Sequence, residues 1–150
     1  MNRKIWILNH YAILPSEYGG TRHYDFSVEL VKRGYDVTVF AASYNHFNKT
    51  DRINKKGESI KNESIDGVKF VWLKTFPKYH GNGIKRLINM FSYLTAMLKA
   101  YPKYEKPDVV IGSSVHLFAC LAGYFISKRA GSRFICEIRD LWPQTLIDMG

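Results

Sequence analysis

The sequence predicts an α/β protein, a doubly wound and mostly parallel Rossmann-like sheet with helices on both faces. Short runs rich in β-branched and aromatic residues alternate with longer segments whose apolar residues recur at helical spacing. The first unit, Lys4 to Ala42, reads strand, helix, strand, which requires parallel strands joined by a crossover. The simplest complete arrangement places five strands in the spatial order 3-2-1-4-5.

The first unit begins with Lys4 to His10, whose apolar core, Ile5 to Leu8, is short enough for a strand. A loop with two glycines follows. Apolar residues at helical spacing then predict a helix from Thr21 to Arg33, and Gly34 suits its left-handed C-cap. Val37 to Ala42 completes the unit as a second buried strand.

The middle of the chain is less regular. Asn45 to Ser64 is polar and charged, and we expect it to form a mobile excursion. Asp66-Gly67 is a turn dipeptide, and Val68 to Leu73 is the third predicted strand. Apolar residues from Ile84 to about Tyr101 have the spacing of a long amphipathic helix.

The last third repeats the strand and helix pattern. Asp108 to Gly112 is the fourth predicted strand, and Leu117 to Arg129 is the helix after it. The apolar run Phe134 to Ile138 predicts a fifth, interior strand. A short helix is expected after Pro143, because proline fits the first turn of a helix.

Length and composition predict a single domain, residues 1–150, with 46% hydrophobic residues in a chain of 150. Cys120 and Cys136 both lie in apolar surroundings, which predicts reduced core cysteines and a reducing compartment. The N-terminus has too few consecutive apolar residues for a signal peptide. The longest apolar stretch, Leu87 to Leu98, is too short and too polar to span a bilayer.

The formal charge of +9 is concentrated in one block, since Gly67 to Tyr104 contains no Asp or Glu. Its basic residues are Lys69, Lys74, Lys78, Lys85, Arg86, Lys99 and Lys103. Such a block favours anionic partners, namely lipid headgroups, diphosphates or nucleic acid. The alternative is a solvated basic face with no specific partner.

The predicted strand order also predicts where a ligand binds. The first and fourth strands are neighbours whose connections leave in opposite directions, and ligands bind in the crevice between such carboxyl ends. Three loops are expected to converge there: Tyr11 to Gly20, Ser113 to His116, and Arg139 to Trp142.

Each loop offers polar groups with a possible role. The backbone N–H groups of Gly19 and Gly20, at a helix start, suit a phosphate, although a plain flexible turn explains them too. His116 suits contact with a sugar hydroxyl or a shared proton, or else caps the following helix. Arg139 and Asp140 either orient a polar substrate, pair with each other, or cap the next helix.

Several classes of function lack their sequence signals. The nicotinamide fingerprint G-x-G-x-x-G and the Walker-type GK[ST] are missing, which argues against a dinucleotide oxidoreductase and a P-loop NTPase. No Cys or His cluster has metal-ligand spacing, and no G-x-S-x-G elbow is present. No metal or other cofactor is therefore expected.

Four blocks, taken in order, resemble the N-terminal half of glycosyltransferase family 4, which has the two-domain GT-B architecture. They are NHYAILPSEYGGTRHYDFSVELVKRGYDVTVFAASY, DGVKFVWLKT, KPDVVIGSSVH and RFICEIRDLWP. The resemblance covers essentially the whole chain and looks closest to bacterial enzymes that extend O-antigen or capsular polysaccharide.

The resemblance implies retaining transfer of a sugar from a nucleoside-diphosphate donor, without a bound metal. It implies that this half receives the acceptor and that Gly19 and Gly20 reach the donor diphosphate. The carried-over catalytic positions are His116 and Asp140, and the substrate-positioning residues are Ser113, Ser114 and Arg139. Many relatives have His-Asp where this chain has Arg139-Asp140, and an arginine stays protonated, so no proton transfer is assigned to it.

The resemblance also implies partners. The donor-binding half, with its two glutamates separated by seven residues, has no counterpart here, so we expect no turnover by this chain alone. A polyprenyl-diphosphate-linked glycan acceptor implies a cytoplasmic protein peripheral on the inner face of the cell membrane, with Lys78, Lys85 and Arg86 contacting anionic lipid. The rival functions are a non-catalytic sugar- or nucleotide-binding subunit and an RNA-binding protein; no specific nucleic-acid motif favours the latter.

Overall fold

The computed structural model describes residues 2–17, 19–79, 81, 83–114 and 116–139. The strands are β1 (Lys4–Leu8), β2 (Asp36–Ala42), β3 (Tyr44–Asn45), β4 (Thr50–Asp51), β5 (Ile60–Ile65), β6 (Val68–Leu73), β7 (Val109–Ser114) and β8 (Arg133–Ile138). The helices are α1 (Arg22–Lys32), α2 (Ile84–Ala100) and α3 (Leu117–Ala130), and a 3₁₀ turn, Tyr101–Lys103, follows α2. Every predicted helix and strand within the described residues is present.

The main sheet has six strands in the order β5-β6-β2-β1-β7-β8. All neighbours are parallel except β5 and β6, which pair antiparallel. Without β5, this is the predicted order 3-2-1-4-5, so the doubly wound Rossmann-like fold is confirmed. The neighbours β1 and β7 lie on the two sides of the point where the strand order reverses.

The excursion predicted at Asn45 to Ser64 is wrong in part. Residues 60–65 form the edge strand β5, and the chain before it contains the small antiparallel pair of β3 and β4. Asp66 and Gly67 join β5 to β6 with positive φ angles of 49° and 79°, as a tight hairpin turn requires. The hydrophobic pattern did not reveal β5 because its sequence, IKNESI, is largely polar and every one of its residues is half-buried or exposed.

Alternate residues of the central strands fill two separate cores, one on each face of the sheet. Beneath α2 and α3 the sheet contributes Trp6, Leu8, Phe40, Ala42, Val71, Leu73 and Val110. On the face covered by α1 it contributes Ile5, Ile7, Val37, Val39, Ala41, Val68, Phe70 and Trp72. Strands buried on both faces must be apolar throughout, which explains their uninterrupted hydrophobic runs.

The interior position predicted for the last strand is wrong for the described part of the chain. β8 pairs only with β7 there, and Ile135 and Ile138 are 50% and 55% exposed. Cys136 is exposed as well, so the prediction of a core cysteine holds for the buried Cys120 alone. The short helix expected after Pro143 lies outside the described residues.

The predicted amphipathic stripe of α2 does not all face the core. Ile84, Leu87, Ile88 and Phe91 are between 47% and 71% exposed. We call these four residues the α2 apolar face. The side of α2 that is buried against the sheet comprises Asn89, Met90, Tyr93, Leu94, Met97 and Ala100. Within the described residues, no helix is both long enough and apolar enough to cross a bilayer.

Candidate functional site

The three predicted loops meet at the carboxyl ends of β1, β7 and β8. The ring of Tyr11, in the loop after β1, lies 5.7 Å from the ring of His116. The Ser114 hydroxyl oxygen at the end of β7 accepts a hydrogen bond of 3.1 Å from the backbone N–H of Arg139, just beyond β8. The predicted convergence is therefore confirmed for the described residues.

A chain of four polar side chains ties α1 to the edge strand across this crevice. The Asn9 amide donates to Nδ1 of His23 at 3.0 Å, and Nε2–H of the same imidazole donates to Oε2 of Glu137 at 2.8 Å. Arg22 contacts Oε1 of Glu137 at 2.5 Å. We call Asn9, Arg22, His23 and Glu137 the switch-point network. It fixes the start of α1 against the ends of β1 and β8.

The electrostatics of the network favour a neutral imidazole beside an ionised carboxylate. Burial lowers the pKa of His23, although the contact with Glu137 acts in the opposite direction. Burial raises the pKa of Glu137, but the hydrogen bond from His23 and the charge of Arg22 outweigh it, and the net shift is downward. Glu137 is thus a fixed negative charge in the crevice that pairs with Arg22, and the charge of Arg139 contributes to lowering the pKa of His23.

His116 belongs to an aromatic cluster on the other side of the crevice. It directly precedes α3, and its ring lies 4.8 Å from the ring of His10 and 6.0 Å from that of Phe118. Burial, followed by the charge of Arg86, lowers the pKa of His116 to about 4, and burial lowers that of His10 well below its ordinary value. Both imidazoles are therefore neutral at pH 7. Within the described part of the chain, neither ring nitrogen of His116 has a hydrogen-bond partner.

Gly19 and Gly20 are exposed and lie directly before the start of α1. Gly19 has a φ of 136°, and a Cβ there would come within 2.5 Å of the Ile13 side chain. Residues with a side chain rarely adopt this φ, so the backbone conformation favours glycine at position 19. A Cβ added to Gly20 would meet no atom within 4 Å, so the space beside this residue is unfilled.

The three cations predicted to contact lipid lie in different surroundings. Lys78 forms an ion pair of 3.2 Å with Asp51. The guanidinium of the half-buried Arg86 lies 5.9 Å from the centre of the Tyr11 ring and therefore faces the crevice. Lys85 is exposed, between the residues of the α2 apolar face.

Sequence reasoning did not assign a role to Asn9, His10, His23 or Glu137. A signal was present for Glu137, which is a single charge inside the apolar run RFICEI. Asn9 and His10 follow β1 directly, a position that ligand-binding residues often occupy. The predicted catalytic residue Asp140 lies outside the described residues. Among those described, no three His, Cys, Asp or Glu residues are placed to hold a metal ion.

Fold and crevice together define a class, a Rossmann-like α/β domain whose polar crevice lies at the topological switch point. A structural match to sucrose-phosphate synthase from Thermosynechococcus elongatus has a TM-score of 0.62 at 13% identity. It covers 94% of this chain and 34% of that one, so the chain spans about a third of the length of the synthase. This likeness supports a glycosyltransferase-like fold.

A second match is the C-terminal domain of the PF1911 hydrogenase from Pyrococcus furiosus, with a TM-score of 0.55 at 13% identity and 90% coverage of both chains. No family model and no curated protein sequence matches the chain. Because a hydrogenase domain shares the architecture, the likeness establishes the fold and leaves the function to the residues of the crevice.

Proposed function

We propose that this chain is the acceptor-side domain of a retaining glycosyltransferase of family 4. The donor would be a nucleoside-diphosphate sugar, and the acceptor a lipid-linked glycan in the synthesis of a cell-surface polysaccharide. The observation that carries the proposal is the crevice between β1 and β7, where a glycine loop, two serines and three charged residues meet on a glycosyltransferase-like fold.

The residues of the crevice suit different parts of this reaction. The unfilled space beside Gly20, at the positive end of the α1 dipole, suits a donor phosphate. Ser114 and Arg139 suit hydroxyl or phosphate oxygens of the acceptor, because the guanidinium donates in a fixed fork. His116 and Asp140 keep the catalytic positions that the resemblance implies. A neutral His116 is able to accept a proton or a hydrogen bond from an acceptor hydroxyl.

Two partners complete the proposal. A donor-binding half closes over the crevice and excludes water, so this chain alone binds ligand without transferring sugar. An anionic membrane on the cytoplasmic side delivers the lipid-linked acceptor. The α2 apolar face and Lys85 support membrane contact, because exposed aliphatic and aromatic side chains beside a cation suit the boundary between headgroups and acyl chains.

The test is acceptor binding by two matched arginine variants. Arg139 lies just past the crevice end of β8, whereas Arg133 begins the same strand at the opposite end of the sheet. We expect Arg139→Gln to weaken binding of a water-soluble diphosphate-linked sugar acceptor by about 10- to 100-fold, since a charge-assisted hydrogen bond contributes roughly 1.5–3 kcal/mol. Arg133→Gln should bind as the unchanged protein does. Calorimetry measures both.

Equal affinities for the two variants would place the acceptor elsewhere on the domain. Sugar transfer catalysed by the purified chain alone would contradict its assignment as an acceptor-side half.

A further inference from the structure

The acid-free block folds around a groove that lies outside the crevice. The groove runs between α2 and the edge of the sheet formed by β5 and β6, and its cavity volume is about 250 Å³. Its lining includes Leu73, Lys74, Phe76, Lys99, Ala100 and Lys103. The cavity is thus large enough for a headgroup-sized ligand.

Three lysines from three different elements converge on this groove. Lys74 follows β6, Lys99 is in the last turn of α2, and Lys103 ends the 3₁₀ turn. No carboxylate lies among the described lining residues. Nor does any described carboxylate lie within ion-pair distance of these three ammonium groups, unlike Lys78 or Lys69, which are both paired. The groove therefore has an uncompensated positive rim.

The floor of the groove is apolar. Leu73 and Ala100 are buried at 0% and 1% exposure, and the ring of Phe76, at 74% exposure, stands at the edge. A cationic rim over an apolar floor is complementary to a ligand that carries both an anionic group and a hydrocarbon body. A free inorganic anion would leave the floor unused.

The groove continues the side of α2 that carries the α2 apolar face. Ile84 and Ile88 are followed at helical spacing by Ser92, Thr95 and Lys99, which line the groove. A bilayer that contacts the α2 apolar face would therefore lie beside the groove, with its headgroups level with the lysines.

We propose that this groove binds the headgroup and adjoining glycerol of a single anionic phospholipid, with the phosphate between Lys74, Lys99 and Lys103. The site deepens the membrane part of the proposed function and is independent of sugar transfer. A site of this kind recognises a single lipid molecule, whereas a basic surface without a groove is attracted to any anionic membrane.

The first experiment compares two triple variants that lose the same charge. The rim variant, Lys74→Gln/Lys99→Gln/Lys103→Gln, removes the three positive charges of the groove. The control variant, Lys55→Gln/Lys56→Gln/Lys106→Gln, removes three positive charges from exposed lysines elsewhere. All six lysines are exposed, so we expect both variants to fold, and circular dichroism checks this expectation. In flotation with phosphatidylcholine vesicles containing phosphatidylglycerol, the rim variant should lose about 100-fold in affinity, at roughly a factor of five per lysine. Equal losses in the two variants would overturn the site in favour of diffuse attraction.

The second experiment identifies the ligand. Calorimetry with a short-chain phosphatidylglycerol below its micelle concentration should show saturable binding to the unchanged protein and none to the rim variant. Inorganic phosphate binding as tightly as the lipid would overturn the lipid identity, and no binding of the short-chain lipid would overturn the site. Ile84→Ser/Ile88→Ser should lose vesicle binding but keep the short-chain lipid.

The two proposals fail separately. The rim variant should bind the soluble acceptor as the unchanged protein does, because its lysines lie outside the crevice. Loss of acceptor binding with Arg139→Gln, in turn, should leave the short-chain lipid site intact.

Discussion

Glu137 is held more closely than the exposure of its strand suggests. It is the last but one residue of an edge strand, yet both of its carboxylate oxygens contact the first turn of α1. The partner imidazole, His23, is 5% exposed, so removing Glu137 leaves its Nε2–H without a protein acceptor in a site that solvent reaches only in part. A buried donor without an acceptor carries the full cost of its lost hydration.

We therefore expect Glu137→Ala to lower the free energy of unfolding by about 1 to 2 kcal/mol, since the solvent reaching the carboxylate screens part of its charge. Urea denaturation measures the change. The matched control is Glu105→Ala, which removes an equally charged but fully exposed partner of Lys4 and should leave the denaturation midpoint unchanged. A midpoint for Glu137→Ala within error of the unchanged protein would show that the network contributes nothing to stability.

At the scale of elements, the contact of α3 with β7 depends on glycine. A Cβ on Gly112 would lie 2.8 Å from Cα of Cys120 and 3.2 Å from the carbonyl oxygen of Ala119. Both obstacles are backbone atoms of the helix, which cannot rotate away as a side chain does. The helix lies close to the strand because position 112 has no side chain, and this closeness positions His116 at the crevice.

Gly112→Ala should destabilise the fold by about 1 to 3 kcal/mol, because the helix must move outward to admit one methyl group. Gly20→Ala serves as the control, since a Cβ there meets nothing within 4 Å and its φ is not in the left-handed region. Thermal denaturation of the two variants compares them directly. A melting temperature for Gly112→Ala equal to that of Gly20→Ala would contradict the close packing of α3 on β7.

The α2 helix is a second element whose packing the sequence left open. Its apolar periodicity predicts the helix correctly but not which side is buried, because aliphatic residues occupy more than half of its circumference. The side that is buried contains Met90, Tyr93, Leu94 and Met97. The side that remains exposed contains Ile84, Ile88 and Phe91.

For the whole molecule, four buried or half-buried histidines set the response to acid. Burial lowers the pKa of His10, His23, His46 and His116. In the unfolded chain these groups bind protons near pH 6.5, whereas the folded protein resists protonation until a lower pH. The contribution of these histidines to the free energy of unfolding is therefore full above about pH 6.5 and decreases as the pH falls.

His116→Gln should flatten this decrease, because it removes a group whose pKa falls to about 4 on folding. Between about pH 6.5 and 4.5 the unchanged protein should lose about 2 kcal/mol more than the variant. Urea denaturation at intervals across this range measures both, and the same comparison at pH 8 isolates any cost of the substitution itself. Parallel pH profiles would show that His116 is not a buried neutral imidazole.

The amino-acid sequence by itself determined the three helices and the five parallel strands, their spatial order 3-2-1-4-5 and the place of the crevice, but not the edge strand β5. These follow from local periodicity, turn residues and the rules that connect parallel strands, which need no knowledge of side-chain contacts. The polar loops that meet at the crevice could be predicted for the same reason.

Only the tertiary structure decided which side chains face each other. It placed Glu137 on His23, turned Arg86 toward Tyr11, made β8 an edge strand and gathered Lys74, Lys99 and Lys103 around one groove. These contacts join residues far apart in the chain, and each depends on how helices pack on the sheet. Local pattern contains no information about that packing, because the same periodicity is compatible with several rotations of a helix about its axis.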